Sequence, residues 1–434
     1  MRISSIASRT LIHDKRRYIM LFFAASIGMA LAISVYGMLN GMMASLYNKA
    51  RIYYGGDAIR LNRYTFFKDS ESYLKKIEPY FDKKGYYVSL RYDYEFDSYL
   101  IFEGTSIKQR KLKGVDFSRE ESLFNGLNFV AGSSAGMKNS NGILISSQLA
   151  QLLSATVGDN LVLMIKTQNN YTNTANVIIK GIFKDTSVFG QNISYLDIDF
   201  LKDVISAPQT SCTTFGVFAK REKISSKAGI KNQELVKIYK DLSEFLSMYK
   251  FTTNKSDFLN DFNLFRSPKE MSRICLVSLD ANLDDVSFLM DAMYVVIYII
   301  MSVLIIIIAI GIGSTYKVIA VKRINEIGIY MALGMKKSQI ILLFLIEAFF
   351  LLSASFVFSI VLSLLFILIF KFLDFSFIPN FDIFLTNSHI IINISIWQTL
   401  LIFIIICIVT LLLVFITVKK NVNIQPVDAL SVAE

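Results

Sequence analysis

Four long apolar blocks interrupt the chain. Residues 18–48 carry no charge between Arg17 and Lys49, and residues 292–316 carry none between Asp291 and Lys317. Residues 338–370 hold a single charge, Glu347, and residues 390–418 hold none. Each block exceeds the roughly 20 apolar residues that a helix needs to cross the hydrocarbon core. Lipid offers backbone groups no partners, so each block is predicted to be a transmembrane helix. A cleaved signal peptide is the other reading of the first block, because Arg2, Arg9, Lys15, Arg16 and Arg17 precede it. A signal core runs ~7–15 residues, and a block about twice that length favours a retained helix.

The polar remainder is unevenly placed. Residues 49–291 separate the first two blocks and are long enough for one or two domains. Their pattern is mixed α/β. Residues 57–64 alternate like a strand, and Tyr73, Ile77, Tyr80 and Phe81 recur at helical spacing. Strands are predicted at 86–91, 98–102, 160–166 and 176–183. A short helix is predicted at 145–154, before a Gly158-Asp159 turn. Leu235, Ile238, Leu242, Phe245 and Tyr249 mark an amphipathic helix.

Charge sets the predicted orientation. The first 17 residues hold five basic residues against Asp14. The stretch 317–337 holds Lys317, Lys322, Arg323, Lys336 and Lys337 against Glu326, and the tail 419–434 opens with Lys419-Lys420. The positive-inside rule puts all three in the cytoplasm. The short connection 371–389 has Lys371, Asp374 and Asp382 and suits the outer side. The predicted fold class is therefore an α-helical membrane protein with four transmembrane helices, N-in and C-in. A large mixed α/β extracytoplasmic domain lies between helices 1 and 2. The implied location is the inner membrane, with the domain in the periplasm.

Composition agrees with that picture and removes other function classes. Apolar residues make up 53% of the chain and charged residues 18%, against about 45–50% and 25% in soluble domains. The net charge of +10 sits largely beside the apolar blocks, with no basic stripe interleaved with aromatics, so nucleic acid is not an expected partner. His13 and His389 lie far apart and there are three cysteines, so no metal site is expected. Cys212 and Cys275 are read as two thiols or as a disulfide. The stretch Gly132-Ser-Ser-Ala-Gly-Met-Lys138 lacks the ending of a phosphate loop. No nucleophile elbow or His-Glu-x-x-His occurs, so the chain is not expected to be an enzyme.

The most informative segment is 321–340, which reads Val-Lys-Arg-Ile-Asn-Glu-Ile-Gly-Ile-Tyr-Met-Ala-Leu-Gly-Met-Lys-Lys-Ser-Gln-Ile. It predicts that the second span continues past the membrane and breaks near Gly328. A short helix then ends at Gly334, a residue suited to a left-handed cap. Glu326, Ile327, Gly328, Ala332, Leu333 and Gly334 resemble the Glu-Ile-Gly-x-x-x-Ala-x-Gly signature of the mechanotransmitting (type VII) ABC permeases. That superfamily includes lipoprotein-releasing, macrolide-exporter and cell-division permeases. The tail Gln425-Pro-Val-Asp-Ala-Leu430 resembles the family's closing motif. Gly142-Ile-Leu-Ile-Ser, Leu149-Ala150, Gly158-Asp159 and Gly181-Ile-Phe183 resemble its outer domain.

The resemblance implies a permease dimer on a separate cytoplasmic ABC ATPase dimer, which holds the ATP and Mg. This chain itself would bind no cofactor. The six signature residues would be the ATPase-coupling set on 317–337. The outer domain would have a porter-like part, 50–112 with 210–285, and a distal part, 113–209. Among relatives, this chain looks most like a lipoprotein-releasing permease. Its cargo would be lipoproteins taken from the outer leaflet and passed to a periplasmic carrier. A second permease or a second copy would complete the dimer, in contact with membrane lipids. The carrier-binding hook of one partner is Pro-rich, whereas 167–175 here contains no Pro, which suits the hookless partner. The alternatives are export of peptides or hydrophobic toxins with an adaptor, or signalling to a cell-wall hydrolase. Met29, Met38, Met42 and Met43 are adaptable enough to line an acyl-chain cavity, or are ordinary packing. Gly28, Gly37 and Gly41 permit close helix approach. Glu347, inside a span, is read as a structural hydrogen bond to a neighbouring helix or as a substrate contact.

Overall fold

The computed structural model describes residues 3–13, 15–61, 69–94, 96–185, 187, 189–220, 232–245, 248–252, 274–375, 377–378 and 381–422. The tail motif 425–430 lies outside the described residues. In chain order the helices are α1 (Ile3–His13), α2 (Lys15–Tyr54), α3 (Ser70–Lys83), α4 (Phe117–Phe124), α5 (Ser147–Leu153), α6 (Ile198–Val204) and α7 (Asn232–Phe245). They continue with α8 (Leu279–Asn282), α9 (Asp284–Lys322), α10 (Ile324–Ala332), α11 (Lys337–Phe372) and α12 (Ile396–Val422). Two compact units emerge. The first comprises Met1–Asn40, Asp291–Leu373 and Ile391–Glu434, and the second Gly41–Met290 and Asp374–Ile390.

Within the first unit, the parts of α2, α9, α11 and α12 that fall there pack through one apolar cluster. Tyr18, Leu21, Ala25, Met29 and Ala32 form the buried stripe of α2, at helical spacing. They meet Ile308, Ile312 and Tyr316 of α9, Phe344, Ala348 and Leu352 of α11, and Ile406 and Val414 of α12. Glycine matters at two contacts. A Cβ on Gly28 would approach Ile308 to 2.7 Å, and one on Gly37 would approach Ile392 to 2.8 Å. The opposite faces are apolar and exposed, for example Ile299, Val303, Ile306 and Ile310 on α9 and Leu401, Ile404, Ile408 and Leu412 on α12. Patches that large do not face water in a soluble protein. Among the described residues, four helices are long and apolar enough to cross a membrane: Tyr18–Tyr54, Phe288–Lys322, Lys337–Phe372 and Ile396–Lys420.

Helix ends do not coincide with the charge-free blocks. The second long helix starts at Asp284, eight residues before the predicted block at 292. The fourth starts at Ile396, not at residue 390. Residues 390–395 are non-helical, and the Asn393 N–H donates to the Gly37 carbonyl at 2.8 Å. Asn40 caps this corner, donating to Gln398 at 2.6 Å.

The second unit is built on one large mixed sheet. Its strands are β1 (Ala58–Leu61), β2 (Tyr86–Tyr94), β3 (Tyr99–Phe102), β4 (Thr105–Lys108), β5 (Lys111–Val115), β6 (Phe129–Gly132) and β7 (Gly142–Ser146). They continue with β8 (Asn160–Lys166), β9 (Thr172–Phe183), β10 (Ile193–Asp197), β11 (Thr214–Ala219), β12 (Met248–Thr252) and β13 (Ile274–Ser278). The order is β12-β13-β1-β11-β2-β5-β10-β7-β9-β8-β3-β4, with β6 on β9. Strands from 50–112 and 210–285 thus occupy one end of the order and strands from 113–209 the middle. The β3–β4 hairpin, drawn from the first set, instead caps the far end by pairing with β8. Alternate residues of β8, Leu161, Leu163 and Ile165, are buried in the core, as a half-buried strand requires.

Two predicted helices are shorter than their patterns. The β-branched Ile145 and then Ser146 close β7, and the Ser146 hydroxyl caps α5 by accepting from the Leu149 N–H. Helix α7 keeps Leu235, Ile238 and Leu242 buried but stops at Phe245, and Tyr249 falls in β12. Cys212 and Cys275 are buried thiols.

The end of α2 that lies in the second unit is fixed by ion pairs. Arg91, fully buried, pairs with Glu120 and also donates to the Ile52 carbonyl. Arg51 pairs with Asp57, whose other oxygen accepts from the Ala219 N–H at 2.9 Å. Gly55, at φ +92°, lets the chain turn here, and a Cβ on it would meet Arg91 at 2.8 Å. Lys113 sits beside Asp93 at 2.7 Å, and burial holds its ammonium below the ordinary lysine range.

Candidate functional site: the helix break at Arg323

The second long helix ends at Lys322, and the break comes at Arg323, where φ is −103° and ψ 20°. The expected break near Gly328 does not occur. Gly328 is buried inside a continuous short helix, α10. At the break the Arg323 side chain turns inward and is 1% exposed. Its Nη1 donates to both oxygens of Glu347, at 3.1 and 2.9 Å. Its Nε donates to Glu326 at 2.7 Å. The guanidinium carbon lies 5.0 Å from the centre of the Phe344 ring, within cation–π range.

Glu347 is 0% exposed and accepts a further hydrogen bond from the Tyr18 hydroxyl at 3.2 Å. Three long helices and the short one therefore converge on one carboxylate and one guanidinium. Charges this deep are tolerable only when paired and hydrogen-bonded. Tyr316 stacks obliquely on Tyr18 at 6.3 Å, and its hydroxyl is buried with no protein partner.

The far end of α10 is closed by a Schellman arrangement. The Gly334 N–H donates to the Met331 carbonyl at 3.0 Å and the Met335 N–H to the Tyr330 carbonyl at 2.9 Å. Gly334 has φ +86°, the left-handed cap expected of it. The Lys336 N–H then donates to the Gln339 side chain at 2.9 Å, opening α11.

These contacts give α10 two faces. Ile327 and Gly328 face the helix bundle. Asn325, Ile329, Ala332, Leu333 and Gly334 are exposed, Ile329 by 52% and Leu333 by 78%. Positions 325, 329 and 332 fall on one side of a helix. An apolar ridge held on a short, doubly anchored helix is suited to docking another protein. Of the six predicted coupling residues, Ala332, Leu333 and Gly334 therefore lie on the exposed end. Glu326 is half-exposed and tied to Arg323. Arg323 and Tyr18 carry no signal in the motif. Glu347 was the available clue, since an ionisable group inside a span calls for a partner of opposite charge.

The other predicted residues fall elsewhere. Met29, Met42 and Met43 are buried and Met38 is half-buried, while Met20 is 82% exposed. Gly28 is half-buried, and Gly37 and Gly41 are buried. No group of three or more His, Cys, Asp or Glu side chains that could hold a metal occurs among the described residues.

The described residues thus combine long apolar helices, an anchored short helix between two of them and a large α/β domain. Residues 298–426, which contain α10, match the family described as FtsX-like permease C-terminal. No curated protein matches. Among solved structures, the periplasmic region of MacB from Actinobacillus actinomycetemcomitans is similar at 11% identity. Its TM-score is 0.31, and the match covers 45% of this chain and 86% of that one.

Proposed function

We propose that this chain is the permease subunit of an ATP-driven complex in the inner membrane and that α10 docks on a separate ATPase. The observation that carries the reading is the exposed Ile329–Leu333 ridge on a helix anchored at both ends, inside the matched permease segment. In this reading the N-terminus, α10 and the C-terminal tail face the cytoplasm and the α/β domain faces the periplasm. ATP-driven closure pulls on α10 and, through the chain, on α9. The domain between α2 and α9 receives the motion.

For cargo, the reading is extraction of lipoproteins for a periplasmic carrier, with a second permease supplying the carrier dock. The β8–β9 hairpin supports the hookless role. Its turn is closed by a Thr167 N–H to Tyr171 carbonyl bond at 2.8 Å and an Asn170 N–H to Thr167 carbonyl bond at 2.9 Å. Strand β9 resumes at Thr172, which leaves no protruding arm.

Cysteine labelling in whole cells tests the orientation. A Cys replacing Asn325 is expected to react with an impermeant maleimide only after permeabilisation. A Cys replacing Asn170, at the hairpin tip, is expected to react in intact spheroplasts. Reaction of position 325 from outside overturns the proposal.

A further inference from the structure

We infer that Arg323 is a positioning residue that locks the docking helix to the membrane bundle. It does so by bridging Glu326 on α10 and Glu347 on α11. The inference rests on the reading of α10 as the docking helix. It adds the element that turns movement of α10 into movement of the long helices.

The geometry supports a lock rather than a simple stabilising pair. Arg323 occupies the junction itself: its N–H donates to the Ile319 carbonyl of α9 at 3.0 Å, and its carbonyl accepts from the Ile327 N–H of α10 at 3.0 Å. Its two bonding edges point to different elements: Nε to Glu326 and Nη1 to Glu347. A planar guanidinium can serve two carboxylates at fixed angle, which an ammonium cannot. Glu347 is bonded in turn to Tyr18, near the start of α2. A displacement of α10 therefore reaches α11 and α2 through one side chain, and α9 through the backbone. The exposed side of the bridge is Glu326, whose carboxylate is 45% accessible. The buried side is closed.

The asymmetry provides the test. Full-length chain is placed in lipid nanodiscs with Cys212, Cys275 and Cys407 replaced. Nitroxides are attached at Leu333→Cys, on the exposed end of α10, and at Lys420→Cys on α12. The parent is expected to give one narrow distance distribution. Glu326→Ala cuts the bridge only on its exposed side, and is expected to roughly double the width of the distribution while leaving the melting temperature unchanged. Arg323→Lys keeps the charge, avoids an unpaired buried carboxylate, and is expected to broaden it as well. Tyr316→Phe removes a hydroxyl outside the bridge and is expected to leave the distribution narrow.

Distributions that stay narrow in both Glu326→Ala and Arg323→Lys overturn the lock, whatever binds α10. Loss of a bound ATPase is read separately on Leu333→Asp, in which the bridge is intact. The two claims therefore fail independently.

Discussion

Glu347→Leu is expected to destabilise the membrane unit by about 3–5 kcal/mol, because it leaves the Arg323 guanidinium buried with no carboxylate beside it in the bundle. Arg323 is 1% exposed, with its guanidinium over the Phe344 ring. Glu326 alone does not compensate, since it lies on the other edge of the guanidinium and is half in solvent. The measurement is the yield and thermal melt of full-length chain in detergent. Glu347→Gln retains an acceptor and is expected to be milder. The informative control is the double variant Glu347→Leu with Arg323→Met, which replaces the pair by apolar groups. It is expected to recover most of the lost stability, because buried pairs exchanged together are often neutral. Parental stability in Glu347→Leu alone would show that the pair is not closed to solvent.

Glu120→Ala is expected to have a comparable effect on the α/β domain, also about 3–5 kcal/mol. Arg91 and Glu120 are both fully buried, and the Ser89 hydroxyl donates to the same carboxylate at 2.6 Å. Removing the carboxylate strands two donors. The consequence extends to the end of α2, because Arg91 also holds the Ile52 carbonyl. Limited proteolysis is therefore expected to open the chain near Gly55-Gly56 in Glu120→Ala and not in the parent. Arg91→Met with Glu120→Leu is expected to restore resistance. Cleavage at the parental rate in Glu120→Ala would contradict the clamp.

Much of the architecture was legible because it depends on local pattern. The apolar blocks were long enough to outweigh the signal-peptide reading of the first, and all four became long helices. Strand β8 keeps its predicted bounds because its apolar run, Leu161 to Ile165, is flanked by Asn160 and Lys166 and follows a Gly158-Asp159 turn. Gly334 was recognisable as a cap from residue type alone. The failures depend on distant partners. Strand β9 begins at Thr172 because its polar residues pair along β8, although Thr-Asn-Thr-Ala-Asn reads as loop. The place of the β3–β4 hairpin at the sheet edge is set by β8, some 60 residues later in the chain. The break at Arg323 was missed for the same reason. Gly328 looked like the breaker by propensity, whereas the break falls at Arg323, whose side chain pairs with a carboxylate on the next long helix.

If α10 is the seat of a partner ATPase, that ATPase stays with the chain on purification. The direct measurement is affinity capture of the tagged full-length chain from its native membrane, with ATP hydrolysis assayed on the eluate. Parent chain is expected to retain an ATPase through the washes. Leu333→Asp places a charge on the exposed ridge without touching the bundle. Gly334→Val places a β-branched residue at φ +86°, which distorts the cap. Both are expected to reach the membrane at parental level and to lose the captured hydrolysis. Capture of the same activity by parent, Leu333→Asp and Gly334→Val alike would contradict the account.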